Sequence, residues 1–382
     1  MELKKKQRIS LSIYFFLSGF CFSTWASRIP TLKDRFHFNE AELGSLLLAL
    51  PISALIGLPI SGWLVSRFDS RIPLAASFLF FCLGLLFIGI ATTPFWLVAA
   101  ICLFAFSMRI LNIAMNTQAI TLQHKFPKKI NGAFHGIWST GGIAGVGFSS
   151  LLIKFQVSIQ VHLIMVTIFT MLVVVMAYRF LLRDDRSPHG NKLIFGKPDP
   201  FIYYLGILIF FAAVCEGGMY DWSGVYFKEV INAEVFTLGY LTFMVFMALS
   251  RFFSDYLIDR IGIANTYIFS ATLISVGMAI TILFPYFWPA MIGFCIVGFG
   301  TASVFPMTFT LAGTSKKYSA GMAISIISTY GILGMFIGPP LIGYLAHAFN
   351  LKIAFILFII CGLMLIPVSQ VFLKYQKKQE AS

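Results

Sequence analysis

Two carboxylates stand in an otherwise apolar stretch of the sequence that runs from about residue 201 to residue 227. They are Glu216 and Asp221, and Gly217 and Gly218 lie between them. As a helix, this stretch places Glu216 ~22 Å from one end and ~16 Å from the other, near the middle of a hydrocarbon layer ~30 Å thick. A charge at that depth costs at least ~2.5 kcal/mol unless a partner or a water-filled cavity receives it. The stretch therefore predicts a polar pathway with Glu216 as a proton carrier; a structural ion pair between helices is the alternative.

A second set of polar side chains lies in the apolar stretch 95–122. Arg109, Asn112 and Asn116 are three and four residues apart, so a helix presents them on one face, with Arg109 again near mid-depth. Such a face predicts contacts to a polar substrate, and a ladder of hydrogen bonds between helices is the alternative. Our hypothesis is that Arg109 and Glu216 form a coupling centre, because an anion bound to the arginine changes the proton affinity of the carboxylate.

His135, near the start of the apolar stretch 131–153, is a second candidate proton site. Its imidazole can titrate in the pH range of the cell, although a structural hydrogen-bond donor fits the same position. Small residues follow it along the stretch, and they predict close packing between helices. They are Gly141, Gly142, Gly145 and Gly147.

The composition is that of a membrane protein with several helical spans. Of 382 residues, 58% are hydrophobic and 11% are charged, and apolar runs of ~20 residues recur along the whole length. The net charge of +13 comes from basic residues between apolar runs, which is a topology signal and does not indicate a nucleic-acid partner. The six cysteines lack metal-ligand spacing, and the sequence has no phosphate-binding loop or nucleophile elbow. We therefore expect no enzyme activity, cofactor or metal.

The apolar runs predict an all-α membrane protein with twelve transmembrane helices in two six-helix bundles. We expect the N-terminal bundle at residues 1–182, a cytoplasmic linker at 183–200 and the C-terminal bundle at 201–382. Lysines and arginines concentrate in alternate loops, on the side of both termini, which predicts cytoplasmic termini in a bacterial-type inner membrane. The expected spans are 9–29, 41–63, 72–92, 95–122, 131–153, 159–182, 201–227, 236–258, 263–284, 288–312, 320–345 and 352–373.

The two halves of the chain repeat each other in sequence. Arg67, in the loop after the second span, corresponds to Arg260 in the loop after the eighth span. The segment 139–145 of span five likewise resembles the segment 328–334 of span eleven. Matches at similar offsets indicate that one six-helix half was duplicated.

These motifs resemble the major facilitator superfamily over essentially the full length of the chain. The loop after the second span keeps Gly62, Leu64 and Arg67 of that family's pattern, but Ser66 replaces its acid and Asp69 its second glycine. The family uses this loop to latch neighbouring helices at the cytoplasmic face. The resemblance therefore implies a gating role for the loop residues of both halves, which are Arg67, Asp69, Arg71, Asp255, Asp259 and Arg260.

Three shorter segments, 26–30, 112–116 and 216–222, resemble the MosC-like branch of the superfamily, which is often linked to sugar-like or inositol-derived solutes. In the family fold, spans one, four, seven and ten line the central cavity, so the resemblance implies the same here. The aromatic residues expected to contact substrate are Trp222, Phe305 and Tyr330.

Two further pairs of charges follow from their positions along the predicted spans. Arg28 and Asp221 reach the predicted outer edge at similar depth, which predicts that they pair as an outer gate. Arg251 and Asp255 are four residues apart on span eight, and we interpret them as a structural pair beside the cytoplasmic loop.

The residues and the resemblance together predict a secondary active transporter for a small polar organic solute, which is sugar-like, inositol-like or an organic anion. Proton-coupled symport by a monomer in the lipid bilayer is the favoured mechanism. A proton-driven efflux antiporter is one alternative, and a membrane receptor or scaffold that binds a solute without moving it is another.

Overall fold

The structure is a computed structural model, and it describes residues 2–123, 125–126, 130–183, 199–315, 317–318 and 320–381. Of the described residues, 87% are helical and none lies in a strand. Eleven of the described helices are long and apolar enough to cross a membrane, and Leu238–Arg251 forms a shorter apolar helical stretch. The all-helical membrane fold predicted from the sequence is therefore confirmed.

The helices of the first half follow the predicted spans. The first span continues past its predicted end and is divided at Arg28 into α1 and α2, and the second is divided at Leu48 into α3 and α4. The bounds are α1 Glu2–Ser27, α2 Ile29–Phe36, α3 Glu40–Leu47, α4 Ala49–Arg67, α5 Arg71–Ile90, α6 Pro94–Gln123, α7 Asn131–Lys154 and α8 Ile159–Tyr178.

The helices of the second half contain one long element that covers two predicted spans. Spans eight and nine are two helices that join directly at a kink at Gly262, where φ is 79° and ψ is 164°, and we label their continuous range of 46 residues α10. Only glycine adopts this backbone conformation without strain, so the residue type fixes the position of the break. The bounds are α9 Pro200–Glu229, α10 Leu238–Leu283, α11 Phe287–Thr301, α12 Val304–Ala312, α13 Ala320–Ala348, α14 Leu351–Ala354 and α15 Ile356–Ala381.

Several helices begin at residues whose side chains satisfy the free backbone N–H groups of the first turn. Asn39 and Glu42 form a reciprocal capping box at the start of α3, with distances of 2.8 and 2.9 Å. Asp199 caps α9 by accepting from the backbone N–H of Ile202, and Pro200 occupies the first helical position. Asp199 and Pro200 therefore fix where α9, the helix that carries the two carboxylates, begins.

The chain divides into two compact units. The first comprises Met1–His37 and Leu46–Ile194, and the second comprises Phe38–Ser45 and Phe195–Ser382. The segment 38–45 at the start of the second span thus belongs to the second unit, although the rest of that span belongs to the first. Most of the predicted linker 183–200 lies outside the described residues.

Glycines explain how the segment 38–45 packs within the second unit. A Cβ on Gly343 of α13 would collide with the backbone at Glu40 and Gly44, and a Cβ on Gly44 would lie only 3.2 Å from the Cα atoms of Gly343 and Pro340, so the two backbones cross closely. Polar contacts flank this crossing: Ser45 Oγ is 2.9 Å from the hydroxyl of Tyr344. The sequence-based bundle boundaries did not include this segment in the second half.

Two of the predicted glycines allow close packing between helices in the first unit. A Cβ on Gly141 would meet the carbonyl oxygen of Phe16, and a Cβ on Gly145 would meet that of Phe20. The two glycines are four residues apart on α7 and let α1 approach its backbone closely. Gly147 has open space around it, so the predicted packing role is confirmed for Gly141 and Gly145 and not for Gly147.

The internal repeat reappears as equivalent packing between helices within each unit. Gly334 on α13 corresponds in sequence to Gly145 on α7, and a Cβ there would meet the carbonyl oxygen of Phe210 on α9. Phe20 and Phe210 are 190 positions apart in the sequence and the two glycines are 189 apart, so each unit packs its first transmembrane span against its fifth at nearly the same register. This agreement supports the duplication inferred from the sequence.

Candidate functional site

Glu216 occupies the middle of α9, the helix of 30 residues that contains it. It lies 13 residues before the end of this helix, at Glu229, which corresponds to ~20 Å. The residue is only 7% exposed. A carboxylate at this depth needs partners, because its transfer from water is costly.

Arg251 reaches the same depth from the next helix. The loop 230–237 joins α9 to α10, and Arg251 lies 13 residues after the start of α10 at Leu238. Two antiparallel helices joined by a short loop bring residues at equal distances from that loop to the same level. The geometry of the helical hairpin therefore places this arginine beside Glu216.

Two side chains contact the Glu216 carboxylate. The Nη2 atom of Arg251 is 3.6 Å from Glu216 Oε1, and the hydroxyl of Tyr220 donates a hydrogen bond to the same oxygen. Tyr220 lies four residues after Glu216 on α9, so both side chains share one face of the helix. The acid is thus held by one charged and one neutral donor.

The surroundings of this pair are apolar on one side and open on the other. The Tyr220 ring meets those of Tyr240 and Phe243 edge-on, each at a centroid distance of 5.9 Å. The Arg251 side chain is 36% exposed, whereas that of Glu216 is 9% exposed. The arginine therefore joins a buried acid to an accessible surface, and we define Glu216, Tyr220 and Arg251 as the carboxylate site.

The structure gives Arg251 a partner that its spacing along the sequence did not predict, Glu216. The predicted pair with Asp255 stays a prediction, because the side chain of Asp255 lies outside the described residues. The signal that could have identified the partner is the equal distance of the two charges from the loop between their helices. The i, i+4 spacing could not reveal this partner, because that spacing relates residues of a single helix.

The structure gives Trp222 a packing role. Its side chain has no exposed surface, and its Nε1–H donates a 3.0 Å hydrogen bond to the carbonyl oxygen of Pro339 on α13. A buried indole whose only polar group is already paired contributes to the stability of the second unit. The predicted contact of Trp222 with substrate stays a prediction, and these contacts add a structural role for the same residue.

The other two aromatic candidates lie on α12 and α13 of the second unit and are partly exposed. The Phe305 ring packs edge-on against Phe309, at a centroid distance of 6.0 Å. The Tyr330 ring lies against the backbone of Gly206 and edge-on to Tyr203 at 6.4 Å. Both residues are half-buried, and their predicted role in substrate binding stays a prediction.

The polar face of α6 lies in the first unit. Arg109, Asn112 and Asn116 are all half-buried, as the helical spacing predicts. Asn116 Nδ2 donates a 2.8 Å hydrogen bond to the backbone carbonyl oxygen of Asn112, and the Cβ of Arg109 lies close to Gly57 on α4. Because Arg109 and Glu216 belong to different units, their coupling stays a prediction.

His135 lies near the start of α7 and is exposed. Its ring meets that of Phe15 on α1 edge-on, with centroids 5.8 Å apart, and its backbone carbonyl accepts a hydrogen bond from Ser139. The predicted proton-binding role of His135 stays untested by these contacts.

The two candidate gate residues are both buried. Arg28 donates from Nε to His162 Nδ1 at 3.0 Å and from Nη2 to the carbonyl oxygen of Val157 at 2.8 Å, all within the first unit. Asp221 is 9% exposed and lies in the second unit. The hypothesis that the two charges pair stays a prediction, and the structure adds that Arg28 already has partners in its own bundle.

The loop residues of the two halves make local contacts. Arg67 stacks over Trp63, Arg71 lies over the ring of Tyr178, and Arg260 donates a 2.6 Å hydrogen bond to the hydroxyl of Tyr256. Asp69 is half-buried and Asp259 is exposed. The gating role of these residues, which the resemblance implies, stays a prediction. No group of three potential metal ligands occurs in the part of the chain that the structure describes.

Comparison of the sequence with known proteins identifies a family. The model described as Major Facilitator Superfamily matches residues 11–329 and, in a second match, residues 240–381. The chain is 31% identical over 352 residues to an uncharacterized MFS-type transporter of Yersinia pestis, with 91% of each chain covered. It is 30% identical over 382 residues to the membrane protein MosC of Rhizobium meliloti, with 98% of this chain and 92% of MosC covered.

Solved structures show the same fold at low sequence identity. A mutant of the nucleoside transporter NupG superposes with a TM-score of 0.77 at 13% identity, covering 97% of this chain and 99% of that chain. An inward-facing, unoccupied bacterial homolog of the human lysosomal transporter Spinster gives a TM-score of 0.75 at 15% identity, with 97% and 98% covered. The resemblance stated from the sequence is confirmed: the chain belongs to the major facilitator superfamily of membrane transporters.

Proposed function

We propose that this protein is a secondary active transporter that moves a small polar organic solute across the inner membrane by alternating access, driven by protons through Glu216. Membership of the superfamily supports transport as the function. The observation that carries the proton coupling is the carboxylate site, in which a buried acid pairs with a partly exposed arginine at mid-depth. A monomer with both termini in the cytoplasm is the form that we propose.

The carboxylate site couples two ligands through one arginine. While Glu216 is ionised, its charge attracts Arg251, and the hydroxyl of Tyr220 stabilises the same oxygen. Binding of a proton removes that attraction and leaves the guanidinium available to an acceptor on the solute. Because binding is reciprocal, the solute and the proton alter each other's affinity by the same factor.

The proposed substrate is sugar-like, inositol-like or an organic anion. A guanidinium presents several donors in a fixed fork, which suits carboxylate oxygens and neighbouring hydroxyl groups. The half-buried side chains of Phe305 and Tyr330 would contact the less polar faces of a ring. Arg109, Asn112 and Asn116 complete the set of proposed substrate contacts.

The first experiment removes the charge of Glu216 and keeps its shape. Proteoliposomes with a pH gradient are supplied in turn with labelled myo-inositol, a hexose and a small carboxylate. We expect Glu216→Gln to retain binding and exchange of the transported solute but to lose accumulation driven by the gradient, because the amide cannot carry the proton. Glu229→Gln, at the exposed end of the same helix, serves as the matched control and should accumulate solute normally.

Variants of Arg251 test whether the Glu216–Arg251 pair couples solute binding to proton binding or only stabilises the fold. Arg251→Gln should weaken solute binding while folded yield is maintained, and Arg251→Lys should bind better than Arg251→Gln because it keeps the charge. If the pair is only structural, both the Glu216 and Arg251 variants lose folded yield instead. Accumulation by Glu216→Gln against a gradient would show that this residue is not the proton carrier.

A further inference from the structure

A groove of about 680 Å³ lies in the first unit, outside the carboxylate site and the polar face of α6. One face of α1, from Lys5 to Leu17, forms its floor. The sides come from α7, through Ile137, and from α8, through Phe169 and Val173. Nothing in the proposed transport mechanism uses this groove.

The groove is basic at one end and apolar along the rest of its length. Lys5 and Arg8 stand at the end that carries the first turns of α1, and no acid is among the residues that line it. The guanidinium of Arg8 is 5.8 Å from the ring centroid of Phe126, a contact that holds it at the groove. Ser12 is the remaining polar lining residue.

The length of the apolar part matches one leaflet of a membrane. From Arg8 to Leu17 the axis of α1 rises ~14 Å, close to half of a hydrocarbon layer ~30 Å thick. The groove is open at its side: Ile9 is 61% exposed and Phe169 is 53% exposed. A ligand can therefore enter from the hydrocarbon layer while its polar end remains at the membrane surface.

We propose that this groove is a binding site for an anionic phospholipid. Lys5 and Arg8 would bind the phosphate, and an acyl chain would lie along Ile9, Ile13 and Phe16. Basic pockets between helices at a membrane surface suit anionic headgroups, because cations there combine charge attraction with hydrogen bonds to phosphate oxygens.

A second groove on the same unit provides an internal comparison. It has a volume of about 360 Å³ and lies between α1, α5 and α8, where Ala75, Leu79 and Val175 contribute to its lining. No lysine, arginine or acid lines it. We expect this uncharged groove to accept acyl chains without a preference for the headgroup.

The test places a fluorescent reporter in each groove of the full-length protein. Phe169→Trp reports on the basic groove, and Val175→Trp reports on the uncharged groove. Quenching by phosphatidylglycerol with brominated chains is compared with quenching by brominated phosphatidylcholine in mixed vesicles, after subtraction of the signal from the native tryptophans. We expect a preference for the anionic lipid of roughly fivefold per cation at position 169 and none at position 175.

Matched charge variants distinguish a site from a general surface potential. Combined with Phe169→Trp, the pair Lys5→Gln and Arg8→Gln should abolish the preference. The pair Lys4→Gln and Lys6→Gln removes the same charge from the same helix end but not from the groove, and it should leave the preference intact. An equal loss in both double variants, or no preference in Phe169→Trp itself, would overturn the proposal. Native mass spectrometry of co-purified phosphatidylglycerol provides a second readout on the chain without tryptophan substitutions.

Discussion

At the scale of single residues, Arg28 and His162 show how a buried charge is held in this protein. Both are almost completely buried, at 4% and 0% exposure. Because a guanidinium can only donate, the Nδ1 atom of His162 must be the acceptor, and the neutral ring then carries its proton on Nε2. That atom is buried and has no hydrogen-bond partner among the described residues. The ring of Phe148 lies edge-on at 5.6 Å.

This geometry predicts a positioning role for His162. The substitution His162→Leu leaves the Nε–H of Arg28 without an acceptor, and we expect the free energy of unfolding to fall by about 1.5–3 kcal/mol. His162→Asn can place a side-chain oxygen near the former Nδ1 atom and should lose less. The measurement is chemical unfolding in mixed micelles. Equal losses in the two variants would mean that ring packing, and not the acceptor, holds Arg28.

In the carboxylate site, the position of the acid could be predicted from the sequence, but its partner could not. Composition and hydropathy are local properties, so a carboxylate at mid-depth could be identified from the sequence as a functional candidate. The identity of its partner depends on which face of the neighbouring helix points toward it. Depth along the spans predicts Arg109 as the partner of Glu216, whereas the partner that the structure gives to Glu216 within its own unit is Arg251.

At the scale of helices, each unit packs its first transmembrane span against its fifth at corresponding positions, but through different contacts. In the first unit, Gly141 on α7 lies against the backbone carbonyl of Phe16 on α1; in the second, the ring of Tyr330 on α13 lies against Gly206 on α9. A glycine stands at the contact in both units, but on opposite helices, and it meets backbone in one unit and a side chain in the other. The duplicated halves therefore kept a close approach at this position while the glycine that permits it changed sides.

The close contact between α1 and α7 predicts how much stability the protein loses when one methyl group is added there. The substitution Gly145→Ala directs a Cβ at the carbonyl oxygen of Phe20, so the helices must separate, and we expect a loss of about 1–3 kcal/mol in the free energy of unfolding. Gly147→Ala, two residues further along the same helix, enters open space and should have little effect. Thermal unfolding of the two purified variants compares them directly. A similar loss for both would indicate a general effect of replacing glycine in this helix.

The loop after the second span and the loop after the eighth span differ in backbone conformation at corresponding positions. Gly262, with its positive φ, breaks α10, whereas the first half has Asp69 at the corresponding position. There α4 ends at Arg67, and Phe68 takes up an extended conformation, with φ −118° and ψ 157°. Among the described residues, Asp69 is not one of those with positive φ. The departure from the family pattern is therefore compatible with this turn.

At the scale of the whole molecule, the orientation in the membrane is a prediction from the distribution of basic residues. Lys154 and Lys377 are exposed and lie near the ends of α7 and α15. A cysteine at position 154 should react with an impermeant maleimide from outside intact cells, whereas one at position 377 should react only after the membrane is opened. Lys33, which loop position alone would suggest for the same test, is only 7% exposed and is less suitable.

The control for this experiment is the parent chain, whose native cysteines are mostly shielded. Cys21, Cys82, Cys215 and Cys361 are buried, and the remaining two, Cys102 and Cys295, are half-buried. Labelling of the parent under the same conditions gives the background. The reverse pattern, with position 377 labelled from outside, would contradict cytoplasmic termini.

The sequence by itself determined the helical membrane class, the internal repeat and the family, because these rest on hydrophobic runs and motifs that are local along the chain. It also marked Glu216 as a candidate functional residue, since the cost of burying a charge depends mainly on depth.

Only the tertiary structure decided which side chain meets that carboxylate and that Trp222 is fully buried. It also decided that the segment 38–45 belongs to the second unit. These features depend on how each helix is rotated about its axis and on which helices become neighbours, and a periodic sequence pattern leaves both open.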